Sequence, residues 1–225
     1  HTRWATHGVP SETNSHPHFD VPMEIAVVHN GIIENYQELR ERLQKEGVTF
    51  RSQTDTETIA HLVRKYYEGD LFRAVQRALQ DVTGAYAIGV ICKNNPDVLV
   101  AARHGSPLIV GLGEQEGYIA SDVPAIMKYT RDVLYLENGQ VCEIKCGSWK
   151  IEDIHGKAVQ LKVQHVDWDD AAAEKEGYPH FMLKEINQQP DVIRNTLRGR
   201  VEEGSDQVIL RDMNISEDEL KAFQK

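Results

Sequence analysis

Basic residues are scarce in this sequence. Its 25 lysines and arginines are outnumbered by 35 aspartates and glutamates, giving a formal net charge of -10 and an isoelectric point near 5.5. That balance argues against nucleic acid or an anionic membrane surface as a partner. No apolar run approaches membrane-spanning length, and no signal-peptide pattern is present. Cysteine is nearly absent too: three residues, an odd and low count, fit a reducing compartment, and a cytoplasmic location is expected. There is no internal repeat and no low-complexity tract. What remains is an ordinary globular composition, 40% hydrophobic over 225 residues, enough for one large domain or one domain plus part of another.

Two metal-like patterns fail on inspection. Cys142 and Cys146 fall in an alternating stretch that places Cys142, Ile144 and Cys146 on one strand face. At ~3.3 Å per residue the two sulfurs lie ~13 Å apart, too far for a disulfide, and core packing is the expected role. His1, His7, His16, His18 and His29 crowd the first thirty residues, and His16-Pro17-His18 has a ligand-like spacing. There is no H-E-x-x-H, no cysteine nearby and no acidic ligand at a helical offset, so no metal or other cofactor is expected.

Periodicity gives the layout. Residues 24–29 read as a buried strand running into the Asn30-Gly31 pair, a turn-type dipeptide. Helices are expected from Glu34 to Glu46 with Gly47 as its stop, from the capping signal Thr54-Asp55-Thr56-Glu57 through Tyr66, and from Asp70 to Val82. Short strands follow at 85–92, 97–102, 108–112 and 117–120. Val133–Glu137 and Gln140–Lys145 flank Asn138-Gly139, which reads as a hairpin, and Trp149–Ile154 and Ala158–Val166 extend the meander. Helices first and strands after predict an α+β layered domain. An acidic, alanine-rich stretch over 167–179 reads as a linker or a short exposed helix. Beyond it, helices are expected over Phe181–Gln189 and Asp191–Leu197, broken at Pro190, and a last one after Ser216-Glu217-Asp218-Glu219.

Three clusters bear chemistry. The opening His1-Thr2-Arg3-Trp4-Ala5-Thr6-His7-Gly8 is functional-looking and reads as the interior of a longer protein. Asn30-Gly31 offers a carboxamide and a backbone N–H suited to an oxyanion. Asp55 offers a carboxylate for an ammonium, and Arg3 a planar fork for a carboxylate. Together they suit a free amino acid, gripped at both charged ends. Each also has a plain structural reading: a turn for Asn30-Gly31, a helix cap for Asp55, a surface cation–π pair for Arg3 with Trp4.

The order of His1–Gly8, His29-Asn30-Gly31-Ile32-Ile33-Glu34-Asn35, Thr54–Glu57 and Arg103-His104-Gly105-Ser106-Pro107-Leu108 resembles the class II glutamine amidotransferases. His180–Pro190 resembles the start of a sugar isomerase half found in one branch of that family. The resemblance implies an N-terminal-nucleophile hydrolase, a four-layer αββα sandwich, here incomplete. It divides the chain into a glutaminase domain over 1–166, the linker over 167–179 and the start of the isomerase domain over 180–225. Arg3 would bind the α-carboxylate of L-glutamine and Asp55 its α-ammonium. Asn30 and Gly31 would form the oxyanion hole. Trp4 would lie on a mobile loop that closes over glutamine, and Thr6 and His7 in the same loop would line the pocket.

The nucleophile implied by the resemblance is an N-terminal cysteine, absent from this sequence, so the chain alone is expected to be inactive. In the longer enzyme, ammonia would pass to fructose 6-phosphate, and a homodimer is implied. The alternative is a non-catalytic module that keeps the amino acid pocket and has lost the nucleophile.

Overall fold

A computed structural model describes residues 7–160, 162–167 and 177–197. It divides the chain into two compact units, His1–Asp167 and Trp168–Lys225.

The first unit is an α+β sandwich. Strand β1 (His18–Phe19) and the long strand β2 (Ile25–Ile33) lead into helices α1 (Tyr36–Lys45), α2 (Thr56–Tyr66) and α3 (Leu71–Gln80). Strands β3 (Gly84–Cys92), β4 (Asn95–His104), β5 (Ile109–Leu112) and β6 (Gly117–Ala120) follow, then a 3-10 turn at Val123–Ala125. Strands β7 (Asp132–Tyr135), β8 (Gln140–Lys145), β9 (Ser148–Asp153) and β10 (Gln164–His165) complete the unit. All strand pairings are antiparallel. One sheet has the order β1-β2-β3-β4-β8-β9 and the other β10-β7-β5-β6.

Three apolar clusters hold the layers together. Helices cover one face of the larger sheet: Leu39, Leu43, Ile59, Leu62, Phe72, Val75 and Leu79 pack on Ile25, Val27, Ile33, Ile88 and Val90. The other face of that sheet meets the smaller sheet through Ala87, Ala101 and Cys142 against Leu108, Val110, Leu134 and Leu136. Beyond the smaller sheet, Val123, Ile126 and Met127 close over Ile109 and Val133. Among the described residues the outer layer on that side is this short segment rather than a long helix.

The helix ends follow from their residues. Gly47, at φ +92, stops α1, with the Val48 N–H bonded to the Leu43 carbonyl and the Gly47 N–H to that of Gln44. That is the left-handed stop glycine allows without strain. Asp70 caps α3, its carboxylate accepting the Arg73 N–H at 3.1 Å. In α2, Thr54 receives the Glu57 N–H at 3.4 Å. The Glu57 carboxylate reaches back to the N–H groups of Arg51 (2.7 Å) and Ser52 (2.6 Å). The capping signal is therefore real, and its cap is Thr54.

Four expectations are corrected. Asn30-Gly31 is no strand-end turn: β2 continues through it to Ile33, Asn30 pairing with Ala87 and Gly31 with Tyr86. The glycine is there for a close approach, since a Cβ on Gly31 (φ +139) would stand 2.0 Å from the Ala85 carbonyl oxygen. Asn138-Gly139 makes no hairpin, because β7 and β8 belong to different sheets. The dipeptide instead anchors a crossing: Asn138 Oδ1 accepts the Gly105 N–H at 2.8 Å and the Gly139 N–H donates to Arg103 at 2.8 Å. Ala158–Val166 is reduced to a bridge at Ala158 and the two residues of β10. Cys146 lies just past β8 and is exposed, whereas Cys142 is buried and Cys92 also.

Among the described residues of the second unit, helix α4 (Phe181–Leu197) runs through Pro190 instead of breaking there. Proline removes one N–H bond but already holds the helical φ, so the turn is weakened and not ended. The expected last helix after Ser216 and most of the acidic stretch, 168–176, lie outside the described residues.

Two outcomes are expected from this packing. Gly31→Ala should destabilise the domain by on the order of 3 kcal/mol, from a strained φ plus a backbone clash, measured by denaturant unfolding. Glu57 is buried, which pushes its carboxyl up, but the bonds from His61, the Ser52 hydroxyl and the Arg51 and Ser52 N–H groups outweigh this and hold it at about 2. A depressed carboxyl contributes stability above its unfolded value and loses it as pH falls through the folded one. Stability should therefore drop by about 3 kcal/mol between pH 5 and pH 2, and Glu57→Gln should flatten that acid limb.

Candidate active site

The side chains of β2 alternate, and that alternation organises the site. Ile25, Val27, His29 and Ile33 are buried, while Val28, Asn30 and Ile32 are exposed. The two sets meet different chemistry.

On the helix side stands Asp55, 3% exposed at the first turn of α2. It occupies the cap position but makes no side-chain cap bond. Thr54 does that work, which leaves the aspartate free to turn toward the sheet. Its Oδ2 accepts the Ile33 N–H at 2.9 Å. Its Oδ1 lies 3.6 Å from His7 Nδ1. His7 packs edge-on against Tyr36 with ring centroids 4.6 Å apart.

His29 lies in the same cluster. Its Nδ1 is 3.0 Å from Thr56 Oγ1, and its Nε2 is 3.5 Å from the Ala85 carbonyl. Burial pushes its pKa down. The Asp55 charge and the Ala85 carbonyl oppose this in part, and His7 adds to it. The same Thr56 hydroxyl is 3.3 Å from His16 Nε2. One O–H proton can serve only one of these two rings, so the hydroxyl can also accept an N–H from the other.

On the opposite face, Asn30 Nδ2 donates to Ser121 Oγ at 3.1 Å, across the gap between the two sheets. These residues line a cleft of about 620 Å³ that also includes His16, Ile119 and Leu108. An amide that lines a cleft and carries a second N–H can donate to a developing negative charge as well as to Ser121.

The structure thus brings His7 to Asp55 and places Gly31 between Asn30 and the Asp55-bonded Ile33. Asn30 and Asp55 lie on opposite faces of one strand near its end. Arg3, Trp4 and Thr6 lie outside the described residues. Residues not singled out beforehand as site members are His29, Thr56 and Ser121. The first two sit inside motifs already noticed. Ser121 is 91 positions from its partner and carried no signal. No described group of three or more His, Cys, Asp or Glu side chains could hold a metal ion.

The three thiols sit on or beside strands. Cys92 is five positions along β3 from the Ala87 that pairs Asn30, ~17 Å away. Cys142 is buried, which raises its thiol to about 12, with Glu143 adding to the shift. Cys146 is exposed in a turn, its Sγ 3.1 Å from the Gln115 carbonyl.

Comparison with known proteins bears on this arrangement. Residues 1–128 match a family described as a glutamine amidotransferase domain. Glutamine–fructose-6-phosphate aminotransferase (isomerizing) of Caldanaerobacter subterraneus subsp. tengcongensis is 51% identical over 225 residues, covering 100% of this chain and 37% of that protein. The protein of the same name from Symbiobacterium thermophilum is 50% identical over the same span, again 37% of its length. The chain therefore spans little more than a third of these relatives.

Among solved structures, glutamine phosphoribosylpyrophosphate amidotransferase from B. subtilis, complexed with ADP and GMP, is similar with a TM-score of 0.56 and 25% identity. The match covers 68% of this chain and 34% of that one. An allosteric regulatory enzyme of purine biosynthesis is similar at a TM-score of 0.53 and 25% identity, covering 63% of this chain and 31% of that one. Both are α+β neighbours of the layered sheets described above. With more than half its length matched, the chain belongs to the glutamine amidotransferase domain family.

Proposed function

We propose that this chain is the glutaminase part of a glutamine–fructose-6-phosphate aminotransferase and that its site binds L-glutamine. Asp55 takes the α-ammonium, Arg3 takes the α-carboxylate, and Asn30 with Gly31 stabilises the oxyanion formed when the side-chain amide is attacked. His7, Trp4 and Thr6 line the loop that closes over the bound amino acid. Ammonia released there would be passed, shielded from water, to fructose 6-phosphate in a part of the longer protein beyond the glutaminase domain.

The observation that carries this reading is the state of Asp55. A buried carboxylate at a helix start normally caps the helix; this one does not, because Thr54 does. It keeps one backbone bond, to Ile33, and presents its other oxygen beside His7. A carboxylate held in place, buried and only partly satisfied favours a cationic ligand.

In the mechanism, a thiolate attacks the amide carbon of glutamine. Negative charge develops on the carbonyl oxygen, where the Asn30 carboxamide and the Gly31 backbone can meet it. Collapse expels ammonia and leaves a glutamyl thioester for water to hydrolyse. The burial of Cys92 and Cys142 supports a thiolate other than these two. The same observation supports a second reading, a module that binds the amino acid without cleaving it.

Calorimetric titration of the 225-residue chain with L-glutamine tests the site. Asp55→Asn keeps an acceptor for the Ile33 N–H but removes the charge, and should weaken binding by roughly thirtyfold or more, the scale of losing one partner of a buried charge pair. Equal binding by both proteins would refute the assignment of Asp55. The unaltered chain should release no glutamate from glutamine, followed by a coupled glutamate assay. Release that is blocked by a thiol reagent would show that one of its own cysteines acts after all.

A further inference from the structure

We propose that Glu57 is a positioning residue for Asp55: it fixes the backbone that aims the ammonium-binding carboxylate and does not itself touch the ligand. This rests on the reading of Asp55 given above.

Glu57 is 2% exposed, deep in the core. Burying an ionised carboxylate is unfavourable unless every oxygen finds donors. Here they do. The Arg51 N–H (2.7 Å), the Ser52 N–H (2.6 Å) and the Ser52 hydroxyl (2.6 Å) all donate to it, and His61 Nε2 stands 3.3 Å away. The helix does not need this arrangement for its cap, which Thr54 supplies. What the carboxylate clamps is the peptide run just before Asp55.

The clamp extends in two directions. Ser52 Oγ lies 3.0 Å from Thr54 Oγ1, which lies 3.1 Å from His18 Nε2, so the residue directly preceding Asp55 is fixed through its side chain. Between them, the Gln53 N–H donates to Asn14 Oδ1 at 2.9 Å, and Asn14 Nδ2 donates to the Val9 carbonyl at 2.9 Å. That ties the segment following His7 to the same loop. A shift at Glu57 therefore moves Asp55 together with the neighbouring segment after His7, both at the ammonium end of the proposed ligand.

Glutamine at this site is a two-ended ligand, and the clamp acts on one end only. The discriminating ligand is 4-carbamoylbutyrate, which is glutamine without its α-ammonium. We define the preference as the ratio of the two dissociation constants, measured by calorimetry on the full 225-residue chain. The unaltered chain should prefer glutamine by roughly thirtyfold or more, the scale of a buried charge pair. In Glu57→Gln one acceptor becomes a donor facing the Ser52 N–H, and the preference should fall by about tenfold while 4-carbamoylbutyrate binds almost as before.

Ser52→Ala removes one donor and leaves every charge in place, so a fall of about threefold in the preference there would separate positioning from a general charge effect. It also decides the matter if Glu57→Gln does not fold. Equal weakening of both ligands in these variants, or an unchanged preference, would overturn the inference and leave Asp55 intact. A preference near one in the unaltered chain would instead overturn Asp55 as the ammonium site, and this inference with it.

Discussion

The hydrogen bond from the Ile33 N–H to the Asp55 carboxylate joins the start of a helix to the end of a strand in the buried interior, at 2.9 Å. Two chain segments that differ by 22 positions meet there, and the polar groups of both are out of contact with water. An N–H at that depth must be bonded, and so must a carboxylate. Each constrains the other, which fixes where α2 begins relative to β2. The helix start can give Asp55 away because the Thr54 hydroxyl already receives the Glu57 N–H. Asp70, at the equivalent place in α3, has no such substitute and spends its carboxylate on the Arg73 N–H.

This division of labour explains what could and could not be read from residues alone. Helices α1, α2 and α3 were legible because leucine, isoleucine and valine recur at helical spacing on faces that do become buried, and because Gly47 and Asp70 stop and start them locally. Most strands were legible for the same reason, being short apolar runs between turn residues. The α+β sandwich then followed from their order. Asn30-Gly31 was misread because its turn-like character is local, whereas its pairing with Ala87 and Tyr86 is set by a strand more than fifty positions away. Only the clash with the Ala85 carbonyl shows what the glycine is for.

Asn138-Gly139 teaches a related lesson. The dipeptide is a good turn and turns the chain, but strand partners are chosen by burial on both faces. Leu134 and Leu136 pack between the sheets with Val110 and Leu108, so β7 stays with the smaller sheet and β8 with the larger. Arg103 reinforces the crossing: its guanidinium donates to the carbonyls of Ser106 (2.7 Å) and Leu136 (2.6 Å). The Arg103–Leu108 motif, noticed as part of a family pattern, is in this structure a brace between sheets. Of the site itself, Asp55 and Asn30 were visible by type, but their geometry was not, and Ser121 reaches Asn30 through tertiary structure alone.

The alternation of β2 sets a geometric condition on any ligand that uses both of its faces. Asn30 turns toward the smaller sheet and Asp55 approaches from the helices, so a continuous sheet would separate them. They can cooperate only where the sheet ends. Among the described residues, β1 covers β2 only at Ala26 and Val27, which leaves Val28–Ile33 paired on one side alone, with β3. Under the proposed binding of glutamine by both residues, the ligand must therefore pass around this rim, its ammonium on the helix side and its amide on the cleft side. Gly31 lies at this rim, where any side chain would strike the Ala85 carbonyl. Glycine at this place is thus required by the close packing of β2 on β3.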